Sequence, residues 1–266
     1  MRSKRRGSYS DRMTQPDRNA VEQEFHDRQA AERADTFRTR PADLLVDDAE
    51  YLDHETWIRP AFDRLGDLRG KAALDYGCGH GMAAVVLARR GAIVSAFDLS
   101  PGYVKEAEER AAANGVIVRF AVADGEHLPY PDASFDAVWG NAVLHHLDPD
   151  RAGAELRRVL KPGGIAVFCE PWGGNPLLTL ARQRLPYPGK HRTPDETPLT
   201  RGAVVRLRTH FPELRVESFQ FLGMVRRVWK KPPVLARFDA VDRWLLQQVP
   251  GLGNWCRYVV LTLPRR

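Results

Sequence analysis

Residues Ala73 to Gly81 read ALDYGCGHG, and how these nine residues are read decides the fold. An apolar run ends in a turn dense with glycine, and an apolar helical pattern, MAAVVLARRG, follows at once. Glycines in a strand-to-helix turn let a ligand approach the backbone closely, because no side chain stands in the way. The helix N-terminus beyond favours negative charge. Two kinds of ligand suit such a turn. Gly79-His80-Gly81-Met82-Ala83-Ala84 fits the relaxed dinucleotide pattern G-x-G-x-x-A. Asp75-x-Gly77-x-Gly79-x-Gly81 instead sets an acid just before the glycines. A carboxylate there repels a pyrophosphate and suits a ligand that carries a cation.

Outward from the loop the pattern alternates. KAALDY is a short buried strand, AIVSAFD a second, VIVRFAV a third, SFDAVWGNAV a fourth and IAVFCE a fifth. Between them run helical stretches of about ten residues. Gly91 closes the first helix, Ser100-Pro101 opens the second, and Lys161-Pro162-Gly163-Gly164 stops the helix DRAGAELRRVL. This alternation predicts right-handed βαβ units and a parallel, doubly wound α/β sheet. LTRGAVVRLRTHFP reads as a later helix, ELRVESFQFL and RYVVLTLP as the last two strands, and the stretch between those strands as an amphipathic helix. Ahead of the first strand, Val21, Phe25 and Ala30 are spaced to share one helix face. DDAEYLDHETWIRPAFDRL reads as another helix, broken at Pro60.

The 266 residues carry a formal net charge of +6, unevenly spread. Residues 1–20 hold six basic and two acidic side chains without periodicity, and read as a disordered basic tail. Residues 21–170 hold 17 basic against 26 acidic side chains, and residues 221–266 hold 9 against 2. The segment with the motifs is therefore the acidic one. That disfavours nucleic acid, whose binders put basic surface around the site. The basic C-terminal part instead suits contact with anionic lipid. Cys78, Cys169 and Cys256 lie far apart and form neither a metal-ligand nor a disulfide pattern, so no metal is expected. The N-terminus lacks the apolar core of a secretory signal, and no apolar run approaches the roughly 18 residues of a membrane span. The expectation is a cytoplasmic protein, peripheral to the membrane at most.

Acids at the strand ends choose between the two ligands. Asp98 ends the second strand, where a carboxylate accepts both hydroxyls of a ribose. Either nucleotide needs that. Asp124 follows the third strand, placed to accept from an adenine amino group. Taken together, Asp75-Tyr76-Gly77-Cys78-Gly79-His80-Gly81, Asp98-Leu99-Ser100, Asp124-Gly125-Glu126-x-Leu128-Pro129, Phe135-Asp136 and Leu160-Lys161-Pro162-Gly163-Gly164 resemble the ordered motifs of the class I S-adenosylmethionine-dependent methyltransferases. The similar subtype is the small-molecule group related to the ubiquinone and menaquinone methyltransferases. The resemblance implies a Rossmann-like, mostly parallel seven-stranded sheet over residues 71–266, with S-adenosylmethionine as cofactor. It places Gly77, Gly79 and Gly81 around the methionine portion and Asp75 near its ammonium. Asp98 takes the ribose, Leu99 lies against adenine, and Asp124, with the backbone of Gly125 and Glu126, holds the adenine edge. Asn141 and Ala142 offer backbone groups near the methionyl end. Residues 21–70 become a helical lid.

Methyl transfer needs a nucleophile aligned with the sulfonium and, for some acceptors, a base. His145 and His146 follow the fourth strand and are the candidate bases; the alternative is that one of them only closes the cofactor pocket. Glu170 and Trp172 end the fifth strand on the acceptor side, and His26 lies on the lid, so these three are the candidate substrate contacts. Asp136 reads as structural, and Tyr76 and Cys78 as loop fillers. Segments at 172–198 and 222–255 exceed a minimal fold, and their apolar, aromatic and basic mixture fits a lipophilic acceptor, an interfacial helix or plain packing. The expected activity is methylation of a small, lipophilic organic acceptor at oxygen or carbon. Two rivals stand beside it: a rearrangement on the same fold without methylation, and a peripheral membrane or partner-binding protein with a vestigial nucleotide site.

Overall fold

A computed structural model describes residues 15–184, 197–222 and 232–266. Five strands, β1 (Ala72–Tyr76), β2 (Ile93–Asp98), β3 (Val118–Val122), β4 (Phe135–Asn141) and β5 (Leu160–Pro171), pair in parallel. β6 (Arg215–Phe219) and β7 (Tyr258–Pro264) complete a seven-stranded sheet in the order β3-β2-β1-β4-β5-β7-β6, with β7 antiparallel to both neighbours. The expected fold class holds. Strand order reverses beside β1, and in open α/β sheets ligands bind at the carboxyl ends of the strands at such a point.

The strands read as near-continuous apolar runs because both sheet faces are covered. Alternate residues feed two cores. Ala73, Ala137, Trp139, Val167 and Cys169 face one layer, with Ile58, Phe62 and the run Ala83–Leu87. Leu74, Tyr76, Val138, Ala166 and Phe168 face the other, with Leu156, Leu207 and Phe211. The helices behind these cores are α2 (Asp48–Asp53), α3 (Ile58–Asp63), α4 (Met82–Arg89) and α5 (Pro101–Ala113) on the first face. On the second lie α6 (Pro149–Val159) and α8 (Arg201–His210).

Three local expectations are corrected. The helix before Pro60 breaks earlier, between Asp53 and Ile58, and Pro60 sits in the first turn of α3. A proline is tolerated there, since the first-turn amides have no intrahelical partner. The N-terminal helix α1 runs over Gln15–Thr39, so it starts inside the stretch read as a tail; the rest of that stretch, 1–14, lies outside the described residues. Val21 is 37% exposed, and the inward side of α1 is largely polar. Asp27 Oδ1 accepts from Ser100 Oγ at 2.5 Å and from the Gly102 amide at 2.9 Å. Arg33 grips Glu106 through two nitrogens, at 2.8 and 3.0 Å. These contacts lay α1 across the N-terminus of α5, whose Gly102 leaves room for Ala30.

Of the two long segments, residues 185–196 and 223–231 lie outside the description. The remainder forms α7 (Pro176–Arg184), a bridge from Trp172 to Leu199, and α9 (Pro232–Gln248), followed by a 3₁₀ turn over Pro250–Trp255.

Candidate active site

The loop after β1 is shaped by backbone that favours glycine. Gly77, Gly79 and Gly81 all have positive φ, at 67°, 50° and 82°. Gly81 also packs so closely that a Cβ would lie 2.8 Å from the Ala107 Cα, so this glycine seats α4 against α5. Gly79 differs: nothing stands within 4 Å of where its Cβ would be. Its amide donates to Asp98 Oδ2 at 2.8 Å, while Asp98 Oδ1 accepts from the Ser100 amide at 3.0 Å. One carboxylate thus ties the glycine loop to the start of α5.

A cavity of about 350 Å³ opens over these strand ends. Its floor is Gly77, Gly79 and His80; Phe97 and Asp98 end β2 and Leu99 follows it, and Ala123, Asp124 and Gly125 follow β3. Asn141 ends β4, and Ala142, Val143, His146 and Leu147 follow it. Ala142 has φ 57°, a left-handed alanine at the mouth of the site. The roof is α1, which contributes Arg18, Asn19, Glu22 and His26, and Tyr103 of α5 closes one side. Of the expected residues, Gly77, Gly79, Asp98, Leu99, Asp124, Gly125, Asn141, His26 and His146 meet here.

Others do not. Asp75 is 2% exposed and lies outside the cavity lining, with Oδ2 lacking a partner. Burial, with Asp98 adding to it and the Ala84 amide opposing, pushes its carboxyl up to about 7. Gly81 seats α4, as above. Glu126 is buried and lies outside the cavity lining: its carboxylate takes Arg18 at 2.5 Å and the Asp148 amide at 2.8 Å, so its side chain anchors α1. Glu170 is fully buried. It accepts from the Val143 and Leu144 amides at 3.0 and 2.8 Å, and its other oxygen lies 2.7 Å from His145 Nδ1. It holds the turn after β4 and does not reach the cavity. His145, tied to it, is equally buried. Trp172 packs in the second core beside Leu199. Tyr76, taken as filler, donates to the Gly125 carbonyl at 2.6 Å and shapes the turn after β3.

Sequence reasoning missed Arg18, Asn19, Glu22, His80 and Tyr103. The signal for the α1 residues was present: Arg18, Glu22 and His26 recur every four residues and so share a helix face. An apolar search passes over them. Asn19 donates to Asp124 Oδ2 at 2.9 Å, and the Glu126 amide to Asp124 Oδ1 at 2.8 Å. Burial drives the His80 imidazole down to about 4, so it is neutral at neutral pH. Burial also pulls His26 down, but its contacts to Glu22 and the charge of Asp98 outweigh that, and the net shift is upward.

The sheet order with β7 reversed, the glycine loop at β1 and the acids ending β2 and β3 together make a Rossmann-like α/β domain with a cavity at its switch point. The family described as "Methyltransferase domain" matches residues 74–168, and that segment belongs to it. Methyltransferase GfsG of Streptomyces halstedii is 40% identical over 114 residues, 41% of this chain and 41% of that protein. The 2-methyl-6-phytyl-1,4-hydroquinone methyltransferase of Synechocystis is 42% identical over 104 residues, 38% of this chain and 32% of that protein. The chain thus spans less than half the length of these relatives. Among solved structures, the [4+2]-cyclase SpnF covers 78% of each chain at 26% identity, with a TM-score of 0.53.

Proposed function

We propose that this chain transfers a methyl group from S-adenosylmethionine to a small, lipophilic organic acceptor at oxygen or carbon. The observation that carries the reading is the cavity itself: two carboxylates, Asp98 and Asp124, face it across a glycine floor whose middle residue leaves its Cβ position open. That set fits a ribose, an adenine amine and a close-lying amino-acid chain. S-adenosylmethionine, when bound, supplies a methyl group on a positively charged sulfur. Asp98 holds the ribose hydroxyls, Leu99 and Phe97 flank the base, and Asp124 and the Gly125 backbone meet the adenine edge. Asn141 and Ala142 border the methionyl end. α1 roofs the site and excludes water. His146, the histidine of the pair that lines the cavity, takes the proton from an acceptor hydroxyl or carbon acid. The name of one relative, a 2-methyl-6-phytyl-1,4-hydroquinone methyltransferase, supports a small and lipophilic acceptor.

The test is incubation with methyl-labelled S-adenosylmethionine and a cell extract, followed by solvent partition. Label in the organic phase is the expected result; label in protein or RNA overturns the acceptor class. The likeness to a [4+2]-cyclase favours one rival, a rearrangement that leaves the cofactor whole. Release of S-adenosylhomocysteine during turnover excludes it.

No helix among the described residues is long and apolar enough to cross a membrane. The reading extends to peripheral contact: residues 221–266 are strongly basic, and Trp244 and Trp255 are 60% and 40% exposed. Tryptophan beside basic charge fits an anionic interface. Co-sedimentation with phosphatidylglycerol vesicles, lost in salt and absent with phosphatidylcholine, is the expected outcome. Equal binding to neither lipid ends this part of the proposal.

A further inference from the structure

Glu22 of α1 reaches two imidazoles with two different oxygens. Oε1 lies 3.1 Å from Nδ1 of His146, and Oε2 lies 3.5 Å from Nε2 of His26. All three residues line the cavity. A carboxylate has no proton to give, so His146 Nδ1 must carry the hydrogen it shares with Glu22, and the lone pair of neutral His146 is then on Nε2. His26 is placed differently. The Tyr103 hydroxyl donates to Gln29 Oε1 at 2.5 Å and therefore turns a lone pair toward His26 Nδ1, 3.3 Å away. An imidazolium donates to both of these oxygens at once, whereas a neutral ring serves only one. The carboxylates of Glu22 and Asp98 favour that charge.

We propose that Glu22 is a positioning residue: when the lid lies closed, its carboxylate holds His146 as the Nδ1–H tautomer with Nε2 free to act as base, while a cationic His26 holds Glu22 in place. This rests on His146 being the base. The lid is then part of the acid–base machinery and not only a roof, because the residues that orient the base arrive with α1. In the step served, the acceptor's proton passes to the Nε2 lone pair and the pair left on the acceptor atom bonds the methyl carbon. The pair of the broken carbon–sulfur bond stays on sulfur. His145, whose Nδ1 faces Glu170 in the same way, cannot substitute because it lies outside the cavity lining. The groups facing the cluster are Asp98 from β2, Tyr103 from α5, His80 from the glycine loop, Gln29 from α1 and the His145 ring, 4.1 Å from that of His146.

The experiment compares full-length wild type with Glu22→Ala and Glu24→Ala. Glu24, on the exposed side of α1, is the control. Imidazole ¹⁵N NMR in the presence of S-adenosylhomocysteine reads the tautomer of His146 and the charge of His26. The Gly102 amide, which donates to Asp27, reports in the same samples that the lid is still docked. In wild type and Glu24→Ala, His146 should carry its proton on Nδ1 and His26 should be doubly protonated. In Glu22→Ala, His146 should move toward Nε2–H and His26 should lose its charge. S-adenosylhomocysteine affinity should stay within about twofold, while label transfer into extract slows by roughly tenfold or more. An unchanged tautomer with a docked lid overturns the positioning role. A changed tautomer with unchanged transfer overturns His146 as the base, and the catalytic part of this proposal with it.

Discussion

Replacing Asp98 with alanine is expected to weaken S-adenosylhomocysteine binding about 100-fold while leaving the fold nearly as stable as before. A hydrogen bond to a charged acceptor contributes about 1.5–3 kcal/mol, and two ribose hydroxyls lost at the low end amount to roughly 3 kcal/mol. That is about two decades of affinity. The effect on stability is smaller because two terms oppose. The carboxylate receives the Gly79 and Ser100 amides, but burial outweighs them and raises its pKa above the usual carboxylate range. An acid whose pKa is raised on folding costs stability once it ionises, so its loss relieves that cost as it removes the two hydrogen bonds. By the same sign, affinity should fall as pH drops through the titration of this acid. Asp98→Asn, which keeps one accepting oxygen, should fall between. Titration calorimetry decides: unchanged affinity in Asp98→Ala removes this residue from the cofactor site.

Glu170→Ala is expected to cost about 3–5 kcal/mol of folding stability, since each buried donor left without its acceptor costs about 1–3 kcal/mol. The carboxyl is fully buried, and its removal leaves the Val143 and Leu144 amides and His145 Nδ1 without their acceptor. At about 2–4 °C per kcal/mol for a chain of this size, the melting temperature should drop by roughly 10 °C. Glu170→Gln, whose amide oxygen still accepts, should lose less. Were Glu170 a substrate contact, the alanine variant would melt like wild type and fail only in turnover. A stability change under about 1 kcal/mol in urea unfolding would restore that reading.

Both variants sit where sequence and structure part company. Asp98 and Glu170 look alike in the sequence: each is an acid at the end of an apolar strand. Asp98 opens onto the cavity and Glu170 turns inward under the loop after β4, and nothing local distinguishes them. Asp75 is a third such acid, sealed behind the glycine loop. Helix α1 shows the same limit from the other side. Its apolar spacing pointed to Val21, yet α1 docks through Asp27, Arg33, Arg18 and Asn19 onto partners far along the chain.

By itself the sequence determined the doubly wound sheet, the glycine loop and the acids that follow β2 and β3. These depend on period-two and helical spacing, on caps, and on glycines at positive φ, all of which act over a few residues. Only the tertiary structure decided which histidine lines the cavity, which carboxylates are buried ties, and that a carboxylate 124 positions before His146 lies against it. Polar pairing across such separations has no periodicity to betray it. The partners are brought together by the sheet order and by α1 docking on α5, and their roles follow from where the chain places them.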